Sequence, residues 1–299
     1  MNKFFLFFIL FWSTISLYAN TPLSHIVILG DPHIPGKHLE AKESVLQTIN
    51  QWNDVSMVVA VGDLCSQTAT KEEYAAVKTY FQKLSHPLYP ITGNHDYIYA
   101  DALDVNGKLQ HASIDIQQEK LEFFRYLFNL PKLYYSFKVG PYKLIFLSID
   151  NPKHLAGLSS EQLMWFENEL KIDESIPTII FFHAPLQDTL ETYKHWVNTP
   201  SFIAQPVNKI KTIIENHPQI FLWVSGHTHT SPKETSFASA INVYENQVTN
   251  IHNTDMNKET IWTNSLFLYD DKIVIKTYNH NEQKWLDSVE RIIYPPKLR

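Results

Sequence analysis

Along the first hundred residues, short apolar runs alternate with longer stretches of helical period. Ser24 to Leu29, Met57 to Val61 and Leu88 to Ile91 are β-rich runs bounded by turn residues, the pattern of strands covered on both faces. Between the first two, Val45, Leu46, Ile49 and Trp52 recur at helical spacing within Leu39 to Trp52. Thr70-Lys71-Glu72-Glu73 reads as a capping box that opens a helix to about Leu84. Residues 97–116 show no period. The pattern then predicts a helix over Gln117 to Phe128 and two strands within Leu133 to Ile149 around Gly140-Pro141. Ser159-Ser160-Glu161-Gln162 is a second capping box, with a helix to about Lys171. Thr178 to Phe182 and Ile220 to Ser225 read as strands, with a helix over Pro206 to His217 between them. From Ser236 onward the pattern is mostly β, and Ile261 to Tyr269 and Ile273 to Tyr278 flank Asp270-Asp271 as a hairpin. No Pro/Gly/Ser linker separates this part, so it is expected to form a second sheet packed on the first.

The strand ends carry the chemistry. The runs stop at Gly30-Asp31-Pro32-His33, Gly62-Asp63, Gly93-Asn94-His95-Asp96, His183-Ala184-Pro185 and Gly226-His227-Thr228-His229. In open α/β sheets, ligands bind beyond the carboxyl ends of strands. Two carboxylates, an amide oxygen and four imidazoles suit a pair of divalent transition metals with mixed oxygen and nitrogen ligands. In Asp31-Pro32-His33 and His227-Thr228-His229, the one-residue spacer lets both flanking side chains point the same way along an extended segment. Asp63 is a lone carboxylate at its strand end and could bridge two ions. Each group alone also fits an ordinary polar turn, and only the recurrence at five strand ends argues for metal.

Composition narrows the partners. The chain has 299 residues and a formal net charge of -6, with no run of Lys/Arg, which argues against a nucleic-acid polymer as partner. Residues 1–19 hold Lys3, the unbroken apolar run Phe4 to Trp12 and the small residue Ala19, the pattern of a cleaved secretory signal peptide. The apolar part is short for a membrane span, which needs about 20 residues; an uncleaved anchor is the alternative. The expectation is a secreted or periplasmic protein whose working domain is residues 20–299, with membrane association only if the N-terminal segment stays. The sequence has one cysteine, Cys65, so no intramolecular disulfide forms.

The ordered set Asp31-x-His33, Gly62-Asp63, Gly93-Asn94-His95-Asp96, His183 and Gly226-His227-x-His229 resembles the calcineurin-like metallophosphoesterase superfamily. Leu64, the helix from Lys71 and Leu158-Ser159-x-x-Gln162 are loosely similar to its cyclic-nucleotide-phosphodiesterase-like branch. The chain departs from many of those relatives at Ala184, where they carry a second histidine. The resemblance implies an α/β, four-layer αββα sandwich of two packed mixed sheets flanked by helices. It implies two divalent metal ions, Mn, Fe or Zn. Asp31, His33 and His229 would bind one ion, Asn94, His183 and His227 the other, and Asp63 would bridge. His95 would sit beside the leaving oxygen and donate a proton or stabilise charge, with Asp96 orienting His95 or serving structure alone. The activity implied is hydrolysis of small phosphate esters, a phosphodiesterase first and a phosphomonoesterase second. The alternative of another class is a catalytically silent metal-binding protein that recognises a phosphorylated ligand. The remaining histidines fall outside these motifs, and Lys194-His195-Trp196 lies in a long loop after His183 from which it could reach a substrate.

Overall fold

The computed structural model describes residues 21–298; the signal-peptide expectation for residues 1–19 lies outside them. In chain order the elements are β1 (Ser24–Leu29), α1 (Leu39–Asn50), β2 (Val55–Val61), α2 (Lys71–Phe81), β3 (Leu88–Ile91), α3 (Ile114–Leu127), β4 (Tyr135–Val139), β5 (Tyr142–Phe146) and α4 (Ser160–Ile172). There follow β6 (Thr178–Phe181), α5 (Val207–Asn216), β7 (Ile220–Ser225), β8 (Val243–Tyr244), β9 (Val248–His252), β10 (Trp262–Leu268), β11 (Ile273–Asn279), β12 (Lys284–Trp285) and β13 (Arg291–Ile293). Both capping serine/threonine oxygens act as read: Thr70 Oγ1 accepts the Glu73 N–H and Ser159 Oγ accepts the Gln162 N–H. The reciprocal halves of the boxes are not made. Glu73 instead accepts from the Thr68 and Ala69 N–H groups, and Gln162 bridges both backbone groups of Ser148.

Two mixed sheets form the centre. One runs β12-β11-β10-β1-β2-β3, with β13 also on β11; the other runs β4-β5-β6-β7-β9-β8. β1, β2 and β3 are parallel, as are β5, β6, β7 and β9. The C-terminal β-rich part is therefore not a second sheet of its own. β10 extends the first sheet antiparallel to β1 and β11 pairs antiparallel to β10, while residues 135–252 supply the second. The physical reason is that β1 opens the parallel series with one edge free, and an unpaired strand edge must be covered.

Alternation within each strand divides the core into layers. Ile26, Ile28, Val59 and Val61 face Leu144, Phe146, Phe181 and Val224 between the sheets. Val27, Leu29, Val58 and Ala60 face outward onto Val45, Leu46 and Ile49 of α1 and Tyr74, Val77 and Tyr80 of α2. On the far side, Ile145, Ile180 and Trp223 pack with Phe166 of α4 and Ile210 and Ile213 of α5. The result is the expected αββα sandwich, and burial on both faces explains why these strands read as unbroken apolar runs. Parallel register carries the ends together: Leu29 pairs with Ala60, Val61 with Ile91, and Phe181 with Val224.

Candidate metal centre

Donor atoms from separate strand ends meet at that shared edge. Asp31, His33, Asp63 and His229 each bring one donor atom within 4.8 Å of the others, and so do Asp63, His183 and His227. Asp63 belongs to both groups. All but His229 are buried.

The backbone at these turns is unusual. Asp31, His33, Asp63, His227 and His229 all have positive φ, at 40°, 48°, 52°, 64° and 51°. The two one-residue spacers thus do not hold an extended segment: Asp31 and His33 join one donor group, whereas His227 and His229 join different ones. Each such residue costs about 1–3 kcal/mol and persists where its surroundings over-determine it. The glycines beside them leave room: a methyl at Gly226 would strike Asp31 Oδ1, and one at Gly93 would strike the Asp63 carboxylate. Buried Lys42 of α1 holds the first turn, its ammonium donating to the His33 carbonyl at 2.7 Å and to Asn257 Oδ1 at 2.6 Å.

Hydrogen bonds set the imidazole tautomers. His183 Nδ1 lies 2.7 Å from the Val61 carbonyl, His33 Nδ1 3.2 Å from that of Cys65, and His227 Nε2 2.9 Å from that of Ser201. A carbonyl oxygen only accepts, so each of those nitrogens carries a proton. The opposite nitrogens, Nε2 of His33 and Nδ1 of His227, are left as lone-pair donors, as metal ligation requires, and Nε2 of His183 becomes one when it gives up the proton it shares with Asp63. His183 Nε2 is buried with no well-directed hydrogen bond, and Asn94 Oδ1 is likewise buried without a partner. Asn94 Nδ2 donates to the Tyr99 hydroxyl at 3.2 Å, which fixes the amide orientation. Buried orphans of this kind are costly unless something fills the space they face; a divalent cation meets both, and the donor set fits one.

Charge is concentrated here. Burial alone would raise the Asp63 carboxyl, but His183, His95 and His33 hold it well below its ordinary range. Burial also opposes ionisation of Asp31, and His229 more than offsets it. Burial favours the neutral form of His183, yet the Asp63 carboxylate lifts it to about 9. His227 goes the other way, to about 3, through burial and the neighbouring His183 charge.

His229 has a partner that the sequence reading missed. Its Nε2 lies 2.8 Å from Asp31 Oδ2, and its Nδ1 faces Asp255 Oδ2 at 3.5 Å. Asp255 follows β9 in Asn253-Thr254-Asp255, one more polar strand end, beside β7 in the sheet.

His95 is half-buried and packs edge-on against His33 at 5.1 Å. Its Nδ1 is 2.7 Å from the Gln67 carbonyl and so is protonated, leaving Nε2 free to face a substrate. Its backbone N–H donates to Asp63 Oδ1 at 2.8 Å. Asp96 does not orient His95. Its carboxylate accepts from the Gly93 N–H at 2.7 Å and the Cys65 N–H at 2.9 Å, tying the turn after β3 to the turn after β2. The reason is local: residues 94–96 form one turn of 3₁₀ helix, which aims the Asp96 side chain back at the turn's own start. The Cys65 thiol is buried and pushed well up by that burial and by Asp96, which makes it a packing group.

The calcineurin-like phosphoesterase family matches residues 24–231. A 3',5'-cyclic-nucleotide phosphodiesterase of Nostoc sp. is 27% identical over 177 residues, covering 59% of this chain and 56% of that protein. A protein named "Probable glycerophosphodiester phosphodiesterase GpdQ" from Arcobacter nitrofigilis is 24% identical over 173 residues, covering 54% of this chain and 56% of its own length. The match thus spans little more than half of either relative. A dimetal phosphatase from Danio rerio shares the fold with a TM-score of 0.60 at 13% identity, over 92% of this chain and all (100%) of that one. A purple acid phosphatase from yellow lupin (Lupinus luteus) seeds does so with a TM-score of 0.62 at 14% identity, over 91% of this chain and 53% of that one.

Proposed function

The chain belongs to the calcineurin-like phosphoesterase family, and from that premise we propose that it is a two-metal phosphoesterase of small phosphate esters, a phosphodiesterase in the first place. The observation that carries this reading is the pair of donor groups that share Asp63. Asp31, His33 and His229 would hold one divalent ion, Asn94, His183 and His227 the other, with Asp63 common to both. When bound, such a pair supplies positive charge to the phosphate oxygens and lowers the pKa of water.

The chain's own residues supply the rest. The carbonyls of Val61, Cys65 and Ser201 hold three imidazoles in the ligating tautomer. Asp255 faces the outer nitrogen of His229. His95 presents Nε2 toward the leaving oxygen; as the imidazolium, with Nδ1–H kept on the Gln67 carbonyl, it gives that oxygen the Nε2 proton or stabilises its charge. The diester preference rests on the two curated relatives, both phosphodiesterases by name. A silent metal-binding role finds no support, since no donor of the set is lacking. Export as a secreted or periplasmic protein is proposed on the N-terminal pattern alone, and the intact mass of the exported protein tests it. No described helix is long and apolar enough to cross a membrane.

The deciding experiment loads purified protein with Mn²⁺, Fe²⁺ or Zn²⁺ and assays bis-p-nitrophenyl phosphate, p-nitrophenyl phosphate, cyclic nucleotides and glycerophosphodiesters. Faster turnover of diesters than of monoesters is expected. Turnover of the monoester alone would replace the diesterase reading, and no turnover with two metals bound would leave the silent binder.

A further inference from the structure

The loop between β6 and α5 is tied to the metal centre at three points. The Ser201 carbonyl accepts from His227 Nε2. The Phe202 ring stacks on His227, 4.8 Å between centroids and 22° between planes. The Tyr193 hydroxyl lies 3.2 Å from the Thr228 carbonyl and 3.0 Å from Thr230 Oγ1. From Phe202 the aromatic series continues: Trp196 packs on it at 4.6 Å and 34°, and Tyr193 meets Trp196 edge-on at 6.3 Å. All three rings are only half-buried. An aromatic rail thus leads outward from a proposed metal ligand.

The rail and His95 stand on different donor groups. His95 packs on His33, which shares a group with Asp31 and His229, while Phe202 packs on His227 beside His183. If a leaving oxygen faces His95, the other ester substituent has the Phe202 side as its neighbour. Trp196 carries the Lys194 ammonium over its ring at 5.3 Å, and the same ammonium is 5.7 Å over Tyr193. A cation resting on an exposed indole is held only weakly. A planar base stacking there is held more strongly and displaces it. A flexible alkyl or glyceryl group gains little from such a face.

We propose that Phe202, Trp196 and Tyr193 form the subsite for the retained substituent of the substrate, and that this substituent carries a planar heteroaromatic ring of the nucleobase class. The proposal rests on the phosphoesterase reading above and adds the substrate's second half.

The test compares two diesters with the same leaving group, thymidine 5'-(p-nitrophenyl) phosphate and methyl p-nitrophenyl phosphate, on metal-loaded wild type and Trp196→Ala. The wild type is expected to prefer the thymidine ester in kcat/KM. Trp196→Ala should lose about tenfold more on the thymidine ester than on the methyl ester, mostly through KM, and Trp196→Phe should recover most of it. Equal losses on the two esters, or no preference in the wild type, would overturn the subsite while leaving the phosphoesterase standing. Binding is read separately, by calorimetry with thymidine 5'-monophosphate and methyl phosphate on the same proteins. Tighter binding of the nucleotide that Trp196→Ala abolishes supports the subsite even if no ester turns over, a result that would sink the phosphoesterase reading alone. Equal affinity for the two ligands would sink the subsite.

Discussion

Asp63 and His183 face each other across the gap between the sheets, with Oδ2 of the carboxylate 3.3 Å from Nε2 of the imidazole. The same oxygen lies 3.9 Å from His33 Nε2, so one atom looks at an imidazole of each donor group. Asp63→Asn removes the charge shared by both groups, while its amide oxygen can still accept the His95 N–H. The variant should fall from two metals per chain to fewer than one by ICP-MS after dialysis. Retention of one full equivalent would assign Asp63 to a single ion and end its bridging role.

Much of this site could be read from the chain because each group of proposed ligands follows an apolar run that reads as a buried strand. Asp31, Asp63, Asn94, His183 and His227 inherit their placement from strand order and register, and a run such as Ile220 to Ser225 declares itself by composition. What the sequence hid depends on partners far apart in the chain. The period of β10 and β11 says that they are strands, but not that β1 has a free edge for them. Asp255 meets His229 through packing, with nothing in Asn253-Thr254-Asp255 to announce it. The sequence leaves Asp96 two roles, orienting His95 or serving structure alone, and only the 3₁₀ turn that directs its carboxylate to the Gly93 and Cys65 N–H groups decides for the second. The left-handed backbone at five of the proposed ligands is likewise invisible, since aspartate and histidine tolerate it better than most residues yet adopt it at few of their positions.

Metal uptake should release protons. Without metal, Asp63 holds His183 protonated up to about pH 9, and a ligating Nε2 must be bare. Below that pH the proton competes with the cation, so apparent affinity should rise with pH by about tenfold per unit for each proton displaced. Calorimetry at pH 7 in two buffers of different ionisation enthalpy reads the proton count. A count of zero would mean that His183 is already neutral, or is no ligand.

Asp150 offers a pH signature outside the metal centre. Its carboxylate accepts from the Ser159 N–H at 2.6 Å and the Ser159 hydroxyl at 2.7 Å. Burial nevertheless raises it from 3.8 to about 6, because those bonds only partly offset desolvation. The folded state therefore binds the proton more tightly than the unfolded chain. The stability this gives is fully present below about pH 4 and is lost as pH rises through 6. The span is about 2 kcal/mol, less than the full 1.4 kcal/mol per unit since the residue keeps some contact with water. Asp150→Asn cannot titrate, so the wild-type minus variant difference in urea-unfolding free energy should slope downward between pH 4 and 6.5. A flat difference would show that Asp150 titrates alike in both states.

His95→Ala separates chemistry from metal binding. No donor atom of His95 is among the two groups that converge; its Nδ1 is engaged by Gln67 and its Nε2 is free. The variant should keep two metals and lose about 10²–10⁴-fold in kcat, the usual range for a positioned acid or base. The backbone N–H that holds Asp63 Oδ1 survives the substitution, so the carboxylate shared by the two donor groups should not move. The loss should be smaller for an ester that leaves as p-nitrophenolate, which needs little protonation, than for one that leaves as an alkoxide. ICP-MS and rates on the two esters read both halves. Loss of metal would make His95 a ligand. An equal slowing on both esters would remove proton donation and leave His95 only the stabilisation of charge at the phosphate.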